Sequence, residues 1–247
     1  MLFRSTDGSV VVWGSSSYGG SFSYSGISQP TDVVAIYSTY RAFAALKTDK
    51  SVVVWGDSSY GGRFNNGFTD LSGVESIYST ARAFAALKTD GTVVAWGTRS
   101  YGGFINNDLN LSNITNICWT SSAFAALKTD GSVVVWGDPF YIGISPPTNV
   151  VAIYSTYYAF AALKTDKSVV VWGSSSYGGR FNNGFTDLSG VESIYSTSFA
   201  FAALKTDKSV VVWGNSSFGG SFSYSGISQP TNVVAIYSTT SAFAALD

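Results

Sequence analysis

The pentapeptide Ala-Phe-Ala-Ala-Leu recurs six times along this chain of 247 residues, beginning at positions 42, 83, 123, 159, 200 and 242. A valine-rich run ending in Trp-Gly recurs with it, and successive tryptophans are 42, 41, 40, 36 and 41 residues apart. These tryptophans are Trp13, Trp55, Trp96, Trp136, Trp172 and Trp213. A period of about 40 residues is typical of propeller blades and solenoid repeats. The sequence therefore predicts one structural unit copied six times.

Each unit contains short apolar runs rich in Val, Ile, Tyr and Phe, separated by turn residues, which is the pattern of β-strands. Val52 to Trp55 are consecutive apolar residues, so we expect both faces of that strand to be buried. Three strands are predicted per unit, and the Gly-Gly segment after Trp-Gly is the candidate for a fourth. Some copies have Asp-Gly, a two-residue hairpin signal, between the second and third strands. Where Lys replaces Gly, we expect either a different turn type or a small strain.

These patterns predict an all-β fold, a six-bladed β-propeller that forms a single domain over residues 1–247. The chain begins within a unit, just before a Trp-Gly strand, and ends within another, just after Ala-Phe-Ala-Ala-Leu. We therefore expect the N- and C-terminal segments to pair in one blade and close the ring. Closure of this kind leaves no exposed strand edge.

Composition excludes several functional classes. Only 12% of the residues are charged and the formal net charge is −1, so we expect neither nucleic acid nor anionic lipid as a partner. No apolar run has the length of a membrane span, and a monomeric cytoplasmic protein is expected. Histidine is absent and Cys118 is the single cysteine, which excludes an internal disulfide, a cysteine-cluster metal site and a Ser-His-Asp triad. We predict a protein that is not an enzyme and has no catalytic residues, metal or cofactor.

The segment from Val33 to Gly62 resembles the repeats of the regulator of chromosome condensation family. It shares with them a hydrophobic strand, small residues, a Leu-containing strand, a turn with Asp, a second hydrophobic strand, Trp-Gly and Tyr-Gly in that order. In repeat length the units are most similar to those of one relative, β-lactamase inhibitory protein II. The resemblance implies a propeller whose loops at one end contact a partner protein. It carries little information about function, because propellers host unrelated activities.

Against this nearly constant frame, the two residues before each Ala-Phe-Ala-Ala-Leu segment differ in every copy. We call them the variable pairs: Tyr40-Arg41, Ala81-Arg82, Ser121-Ser122, Tyr157-Tyr158, Ser198-Phe199 and Thr240-Ser241. They lie between two strands, so they should share one end of every blade, and Tyr and Arg dominate interface energetics. We predict a protein partner bound by Tyr40, Arg41, Arg82, Trp119, Tyr157, Tyr158 and Phe199. The alternative is neutral drift at loop positions.

Trp119 stands outside the Trp-Gly pairs, and its two alternatives are local repacking and an interface anchor. A second functional hypothesis is a carbohydrate-binding lectin, based on the repeated Arg-Phe-Asn-Asn-Gly segment. Its candidate residues are Arg63, Phe64, Asn65, Arg180, Phe181 and Asn182, whose plainer interpretation is an Asn-Gly turn. A third hypothesis is a recently duplicated or engineered repeat protein without a selected ligand.

Overall fold

A computed structural model describes residues 8–64, 71–106, 108–141, 145–181 and 188–247. The described chain is built from antiparallel sheets, as the sequence predicted, and short helical turns join them. It divides into two compact units, the first covering 8–128 with 134–141 and the second 129–133 with 145–247. The single-domain organisation therefore stays a prediction. Among the described residues, none of the helices has the length and apolar character needed to cross a membrane.

Three sheets belong to the first unit, and in each the strands are adjacent in chain order. Two short helical segments, the 3-10 helix Ser16–Tyr18 and α1 (Phe22–Ser25), precede them. The strands are β1 (Val33–Ser38), β2 (Ala42–Lys47), β3 (Val52–Gly56), β4 (Val74–Ser79), β5 (Ala83–Lys88), β6 (Val93–Gly97), β7 (Ile114–Trp119), β8 (Ala123–Lys128) and β9 (Val133–Gly137). Further 3-10 helices follow the third strand of each sheet, at Ser58–Tyr60, Arg99–Tyr101 and Pro139–Tyr141.

The second unit repeats this arrangement in two three-stranded sheets and one two-stranded sheet. Its strands are β10 (Val150–Ser155), β11 (Ala159–Lys164), β12 (Val169–Gly173), β13 (Val191–Ser196), β14 (Ala200–Lys205), β15 (Val210–Gly214), β16 (Ala235–Ser238) and β17 (Phe243–Leu246). Its 3-10 helices are Ser175–Tyr177, Ser216–Phe218 and Ser223–Ser225.

Within each unit the core lies between successive sheets. Ala44 and Val54 of the first sheet pack against Ile77 and Phe84 of the second. The second strand is buried because it has a neighbour on each side, as the registers Phe43↔Trp55 and Tyr37↔Ala44 show. The small Ala side chains of this strand allow the next sheet to approach closely. The prediction that the third strand is buried on both faces is confirmed in β3, where one of five residues is half-buried and four are buried.

Four of the Trp-Gly tryptophans, Trp55, Trp96, Trp136 and Trp213, donate a hydrogen bond to the Gly-Gly loop of the preceding repeat. Trp96 is fully buried, stacks on Phe84 at 5.2 Å between ring centroids, and donates its indole N–H to the carbonyl oxygen of Gly61 at 3.0 Å. The same bond joins Trp55 to Gly19, at 3.1 Å. The indole therefore anchors the preceding loop on the next sheet, and this requirement explains the recurrence of Trp.

The turn between the second and third strands has three residues rather than the predicted two. In the first sheet the N–H of Lys50 donates to the carbonyl of Lys47, and Lys50 has φ 63°. This is the hairpin in which the third loop residue is left-handed. Gly91 occupies the same position with φ 75°. The lysine copies therefore keep the turn and carry the strain, so of the two predicted alternatives the second is correct.

The described part of the chain has no fourth strand in any sheet. The outer edge of β3 is covered instead by a connector, whose Leu71 carbonyl accepts the N–H of Val52 at 3.1 Å. Before β1, the equivalent hydrogen bond joins the N–H of Val10 to the carbonyl of Pro30. Closure of the ring by the terminal segments stays a prediction.

Candidate functional site

The first residue of each variable pair connects one sheet to the next through its backbone. In the first unit the N–H of Tyr40 donates to the carbonyl of Ala81 at 3.0 Å, and the N–H of Ala81 donates to Ser121 at 2.9 Å. These bonds need no particular side chain. The backbone at this position is therefore constrained while the side chain is free to vary.

The second unit contains the same connection. The N–H of Tyr157 donates to the carbonyl of Ser198 at 2.8 Å, and that of Ser198 donates to Thr240 at 2.9 Å. Tyr157 is 40% exposed and its counterpart Tyr40 is 62% exposed. Both units thus present one large aromatic side chain from a hydrogen-bonded backbone.

The threonine directly before each variable pair orders this end of the sheet. The Thr80 hydroxyl accepts the N–H of Ala83 at 3.0 Å and donates to the carbonyl of Tyr101 at 2.9 Å. Thr80 is buried, so both of its polar contacts are within the protein. Thr156 and Tyr177 make the second of these contacts at 2.9 Å in the second unit. In the first, second, fourth and fifth sheets, the threonine therefore positions the aromatic residue of the 3-10 helix that follows the sheet.

In the first and second sheets, the second residue of the variable pair lies between those aromatic rings. The guanidinium carbon of Arg41 is 4.5 Å from the ring centroid of Tyr18 and 4.9 Å from that of Tyr60. Arg82 lies in the same way against Tyr60 and Tyr101, at 5.0 and 4.9 Å. Distances under about 6 Å are those of cation–π contacts. Arg and Tyr therefore alternate along this end of the first unit.

Arg41 also faces a carboxylate. One of its guanidinium nitrogens is 4.0 Å from Asp57, which caps the 3-10 helix Ser58–Tyr60. The carbonyl of Arg41 accepts the N–H of Asp57 at 2.8 Å. The approach is possible because Gly56 precedes Asp57: a Cβ on Gly56 would lie 2.5 Å from the Arg41 carbonyl oxygen, and its φ is 106°. The glycine of Trp-Gly is thus required because the backbone of the variable pair passes too close to this position for a side chain.

In the fourth and fifth sheets, which belong to the second unit, aromatic residues occupy both the second position of the variable pair and the end of the 3-10 helix. Tyr158 contacts Tyr177 edge-on at 4.9 Å between centroids, and Tyr177 stacks on Phe199 at 5.1 Å. Phe199 stacks in turn on Phe218 at 4.1 Å. Tyr157 adds an edge contact to Tyr158 at 5.3 Å. This end of the second unit is therefore a continuous aromatic row.

The third sheet departs from both patterns. Ser122 is buried, and its hydroxyl lies 3.3 Å from a carboxylate oxygen of Asp138. Trp119, one residue before the buried Thr120, is 45% exposed and lies 5.5 Å from the ring of Tyr78. Part of Trp119 thus packs on a neighbouring sheet and the rest faces solvent, and its role as an interface anchor stays a prediction.

The predicted partner-binding residues therefore form two groups. Tyr40, Trp119 and Tyr157 are exposed, whereas Arg41, Arg82, Tyr158 and Phe199 are half-buried between the rings of the 3-10 helices. Sequence reasoning did not single out those rings, although the repeated Ser-Ser-Tyr segment and the repeated Ser-Thr pair are the signals that could have found them. We call Tyr40, Trp119 and Tyr157 the exposed aromatic residues.

The alternative ligand residues lie after the Gly-Gly segment. Phe64 packs edge-on against Trp96 at 5.4 Å, and Phe181 packs on Trp213 in the same way. Arg63 and Arg180 are exposed. Asn65 and Asn182 lie outside the described residues. The two phenylalanines thus contribute part of their surface to the core.

A groove of about 1110 Å³ in the first unit runs beside β3 and the α1 segment. Its lining includes Tyr24, Asp57, Arg63 and Phe64. Tyr24 is 61% exposed. The groove therefore offers an aromatic ring and charged groups together.

Comparisons with known proteins agree with the fold. No protein-family model matches the chain, and no curated protein matches it. Among solved structures, the chain is similar to Prp20p from Saccharomyces cerevisiae, with 18% identity and a TM-score of 0.51, covering 74% of this chain and 57% of Prp20p. The Prp20p structure is described with its binding to Gsp1p and histones.

Two further structures are similar. Human WBSCR16 has 16% identity and a TM-score of 0.51, with 74% of this chain and 61% of that chain covered. The ectodomain of the Physcomitrella patens receptor kinase CR4 has 18% identity and a TM-score of 0.52, with 87% and 58% covered. The chain spans about three fifths of the length of these structures.

At this level of identity the comparisons show the fold alone. The chain has an all-β fold of the β-propeller class, with repeats similar to those of regulator of chromosome condensation. The predicted fold class is thereby confirmed. The resemblance stated from the sequence is supported for the fold and is not extended to a named family.

Proposed function

We propose that this chain is a non-enzymatic binding protein whose exposed aromatic residues contact a partner protein. One observation carries the proposal: Tyr40 and Tyr157 project from backbone positions that are hydrogen-bonded to the next sheet, yet their side chains are 62% and 40% exposed. A rigid backbone lowers the entropy lost on binding, and tyrosine offers a large contact area with few rotatable bonds.

Within each unit, the half-buried residues of the variable pairs pack beneath the exposed aromatic residues. Arg41 and Arg82 are held between tyrosine rings, and Tyr158 and Phe199 belong to an aromatic row. Side chains fixed in this way hold the neighbouring exposed residues in one conformation. The binding of Prp20p to Gsp1p and histones is a precedent for protein partners on this fold. Partner identity in this chain is set by the three exposed aromatic residues.

The test uses a matched pair of double variants in the first and fourth sheets. Y40A/Y157A removes two exposed aromatic residues, and K50A/K167A alters exposed turn residues at the other end of the same sheets. Proteins retained on the immobilised wild-type chain are identified, purified and titrated against all three forms. We expect Y40A/Y157A to weaken binding about tenfold or more and K50A/K167A to leave it unchanged. Equal affinities for all three forms would reject the proposed role of Tyr40 and Tyr157.

Carbohydrate binding is a second candidate function, favoured by the groove in the first unit. A sugar-binding site requires an exposed ring that stacks on the sugar and a charged group that forms hydrogen bonds with its hydroxyls. Tyr24 and Arg63 supply these two groups. A glycan array probed with wild type and with R63A/R180A tests it. Glycan binding that R63A/R180A abolishes and Y40A/Y157A retains would replace the protein-partner proposal.

A further inference from the structure

The second sheet carries two arginines at the end where its variable pair lies. Arg82 is the second residue of that pair, and Arg99 begins the 3-10 helix that follows the sheet, where the first sheet has Ser58. The N–H of Thr98 donates to the carbonyl of Arg82 at 3.0 Å, so the residue directly before Arg99 lies beside Arg82. Two positive charges are therefore brought to one end of one sheet in the first unit.

The carboxylate that faces the arginine of the first sheet has no counterpart in the second. Asp57 lies 4.0 Å from Arg41 in the first sheet, and Thr98 stands at the equivalent position of the second sheet. Among the described residues, neither Arg82 nor Arg99 has an ion-pair partner. This end of the second sheet is therefore positively charged without compensation from the described part of the chain.

The N–H groups of both arginine side chains are open to solvent. Each guanidinium has five N–H donors, and none of them forms a hydrogen bond with a described residue. Among the described residues that are buried or half-buried, only Trp172 has a side-chain nitrogen or oxygen that is buried without a hydrogen-bond partner. The guanidinium nitrogens of the half-buried Arg82 therefore reach solvent, and Arg99 is exposed. These donors are available to an anionic ligand.

Ring contacts restrict both guanidinium groups before any ligand binds. The guanidinium carbon of Arg82 lies 5.0 Å from the ring centroid of Tyr60 and 4.9 Å from that of Tyr101. The guanidinium carbon of Arg99 lies 4.4 Å from the ring centroid of Phe104. An arginine that lies over aromatic rings keeps the N–H groups at its edge for a planar acceptor such as a carboxylate. Because the side chains are already restricted, less rotamer entropy is lost on binding.

Exposed aromatic residues flank the second sheet on both sides. The N–H of Tyr40 in the first sheet donates to the carbonyl of Ala81, directly before Arg82, at 3.0 Å. Trp119 of the third sheet lies 5.5 Å from the ring of Tyr78 in the second sheet. Tyr40 and Trp119 are both exposed. A ligand that spans this end of the first unit therefore meets apolar surface next to positive charge.

We propose that this end of the first unit binds a protein segment that carries aspartate or glutamate beside apolar residues, and that Arg82 and Arg99 bind its carboxylates. The inference rests on the proposed partner-binding function and adds a charge requirement to it. Nucleic acid fits less well, because the formal net charge is −1 and two arginines cannot neutralise a long phosphate backbone. In the second unit, the variable pairs and the 3-10 helices contain no charged residue, so the requirement belongs to the first unit.

Three labelled peptides test the charge requirement. They share the same apolar residues and have glutamate, glutamine or lysine at the remaining positions. Fluorescence anisotropy measures their affinities at about 10 mM salt, where exposed charges are weakly screened. The glutamate peptide should bind about tenfold more tightly than the glutamine peptide, and the lysine peptide should bind most weakly. At about 1 M salt the difference between the glutamate and glutamine peptides should disappear.

Charge-matched variants locate the effect. R82Q/R99Q removes two positive charges at the proposed surface, and K50Q/K88Q removes two at the other end of the first and second sheets. Both change the net charge equally, so a difference between them is a local effect. We expect R82Q/R99Q to abolish the preference for glutamate and K50Q/K88Q to keep it.

Two further variants separate binding from folding, because R82Q also removes ring contacts. R82K/R99K keeps both charges and should restore the preference for glutamate. R99Q changes an exposed residue and should reduce the preference about threefold with an unchanged circular dichroism spectrum.

Three results would overturn the charge requirement. The first is equal affinity for the glutamate and glutamine peptides, or no binding of either below about 1 mM. The second is a preference that R82Q/R99Q and K50Q/K88Q reduce equally. The third is a thymidine oligonucleotide of the same charge that binds more tightly than the glutamate peptide and is lost in R82Q/R99Q.

The partner-binding proposal is decided separately by the protein retained on the immobilised chain. A retained partner that Y40A/Y157A weakens and R82Q/R99Q leaves unchanged would contradict the charge requirement alone. A retained partner that R82Q/R99Q weakens and Y40A/Y157A leaves unchanged would support the arginines and reject the proposed role of the tyrosines.

Discussion

The guanidinium carbon of Arg82 lies 5.0 Å from the ring centroid of Tyr60, a residue of the 3-10 helix after the first sheet. Arg82 begins the central hairpin of the second sheet, so this contact joins successive sheets of the first unit. Residues that vary between repeats thus contribute to the frame of the molecule as well as to its surface. The consequences can be measured separately for the ring contacts, the threonine bonds and the turns.

Replacing Arg82 by Ala should destabilise the chain by about 1–2 kcal/mol, because a partly desolvated guanidinium loses two ring contacts. Arg82→Lys should retain part of that energy, since lysine keeps the charge but not the planar stacking. Urea denaturation measures both. Arg63→Ala, at an exposed arginine, is the control and should change stability by less than about 0.5 kcal/mol. Equal effects at Arg63 and Arg82 would argue against the ring contacts.

Replacing Thr80 by Val should destabilise the chain by about 1–3 kcal/mol. The substitution keeps the shape and removes the hydroxyl that serves the N–H of Ala83 and the carbonyl of Tyr101 in a buried site. Thr239→Val is the matched control: Thr239 caps Ala242 in the same way but is exposed, so water can replace its hydroxyl. Thermal unfolding measures the difference. A larger loss at Thr239 than at Thr80 would contradict this assignment.

Replacing Lys50 by Gly should stabilise the chain by about 0.5–1 kcal/mol. Lys50 has φ 63°, a left-handed conformation that costs a residue with a Cβ about 1–2 kcal/mol. The greater freedom of glycine in the unfolded chain offsets part of the gain. The reciprocal change, Gly91→Lys, should destabilise by a similar amount, because Gly91 has φ 75° in the equivalent turn. Opposite signs for the two variants in urea denaturation are the expected result.

Acid should weaken the turns through their aspartates. The Ser168 hydroxyl and N–H, with Lys164 nearby, lower the pKa of Asp166 from 3.8 to about 2. Because the folded pKa lies below the unfolded one, the stabilisation is complete above about pH 4 and is lost as the pH falls toward about 2. The Tm difference between wild type and Asp166→Asn should therefore shrink over that range. A difference that stays constant down to about pH 2 would contradict the low pKa.

The repeats, the strands and the burial of the Trp-Gly strand could be predicted from the sequence because they depend on local pattern. The predicted length of the hairpin loop was wrong. Asp-Gly occurs in both two-residue and three-residue turns, and the hydrogen bond from the N–H of Lys50 to the carbonyl of Lys47 identifies the longer one. The fourth strand was also absent from the described sheets, where a single bond from Val52 to Leu71 replaces it. Both differences depend on contacts outside the strands themselves.

Comparison of the repeats identified the variable pairs, but it could not show that the two positions of a pair have different environments. Both differ between repeats, and Tyr occurs at both. In the fold, Tyr157 is exposed while Tyr158 contacts Tyr177, since one residue links the sheets by its backbone and the next turns its side chain toward a neighbouring helix. Whether these residues bind a partner stays a proposal.

Sequence by itself determined the unit, its period, its strands and the class of fold, because hydrophobic pattern and turn chemistry are local properties repeated six times. Tertiary structure decided which varying residues face solvent and which lie between rings, because Tyr60 approaches Arg82 only when two sheets pack together. It also left Trp13 exposed and Trp55 buried within identical hexapeptides. The same residues differ in environment because burial depends on the neighbouring strand, which no local sequence contains.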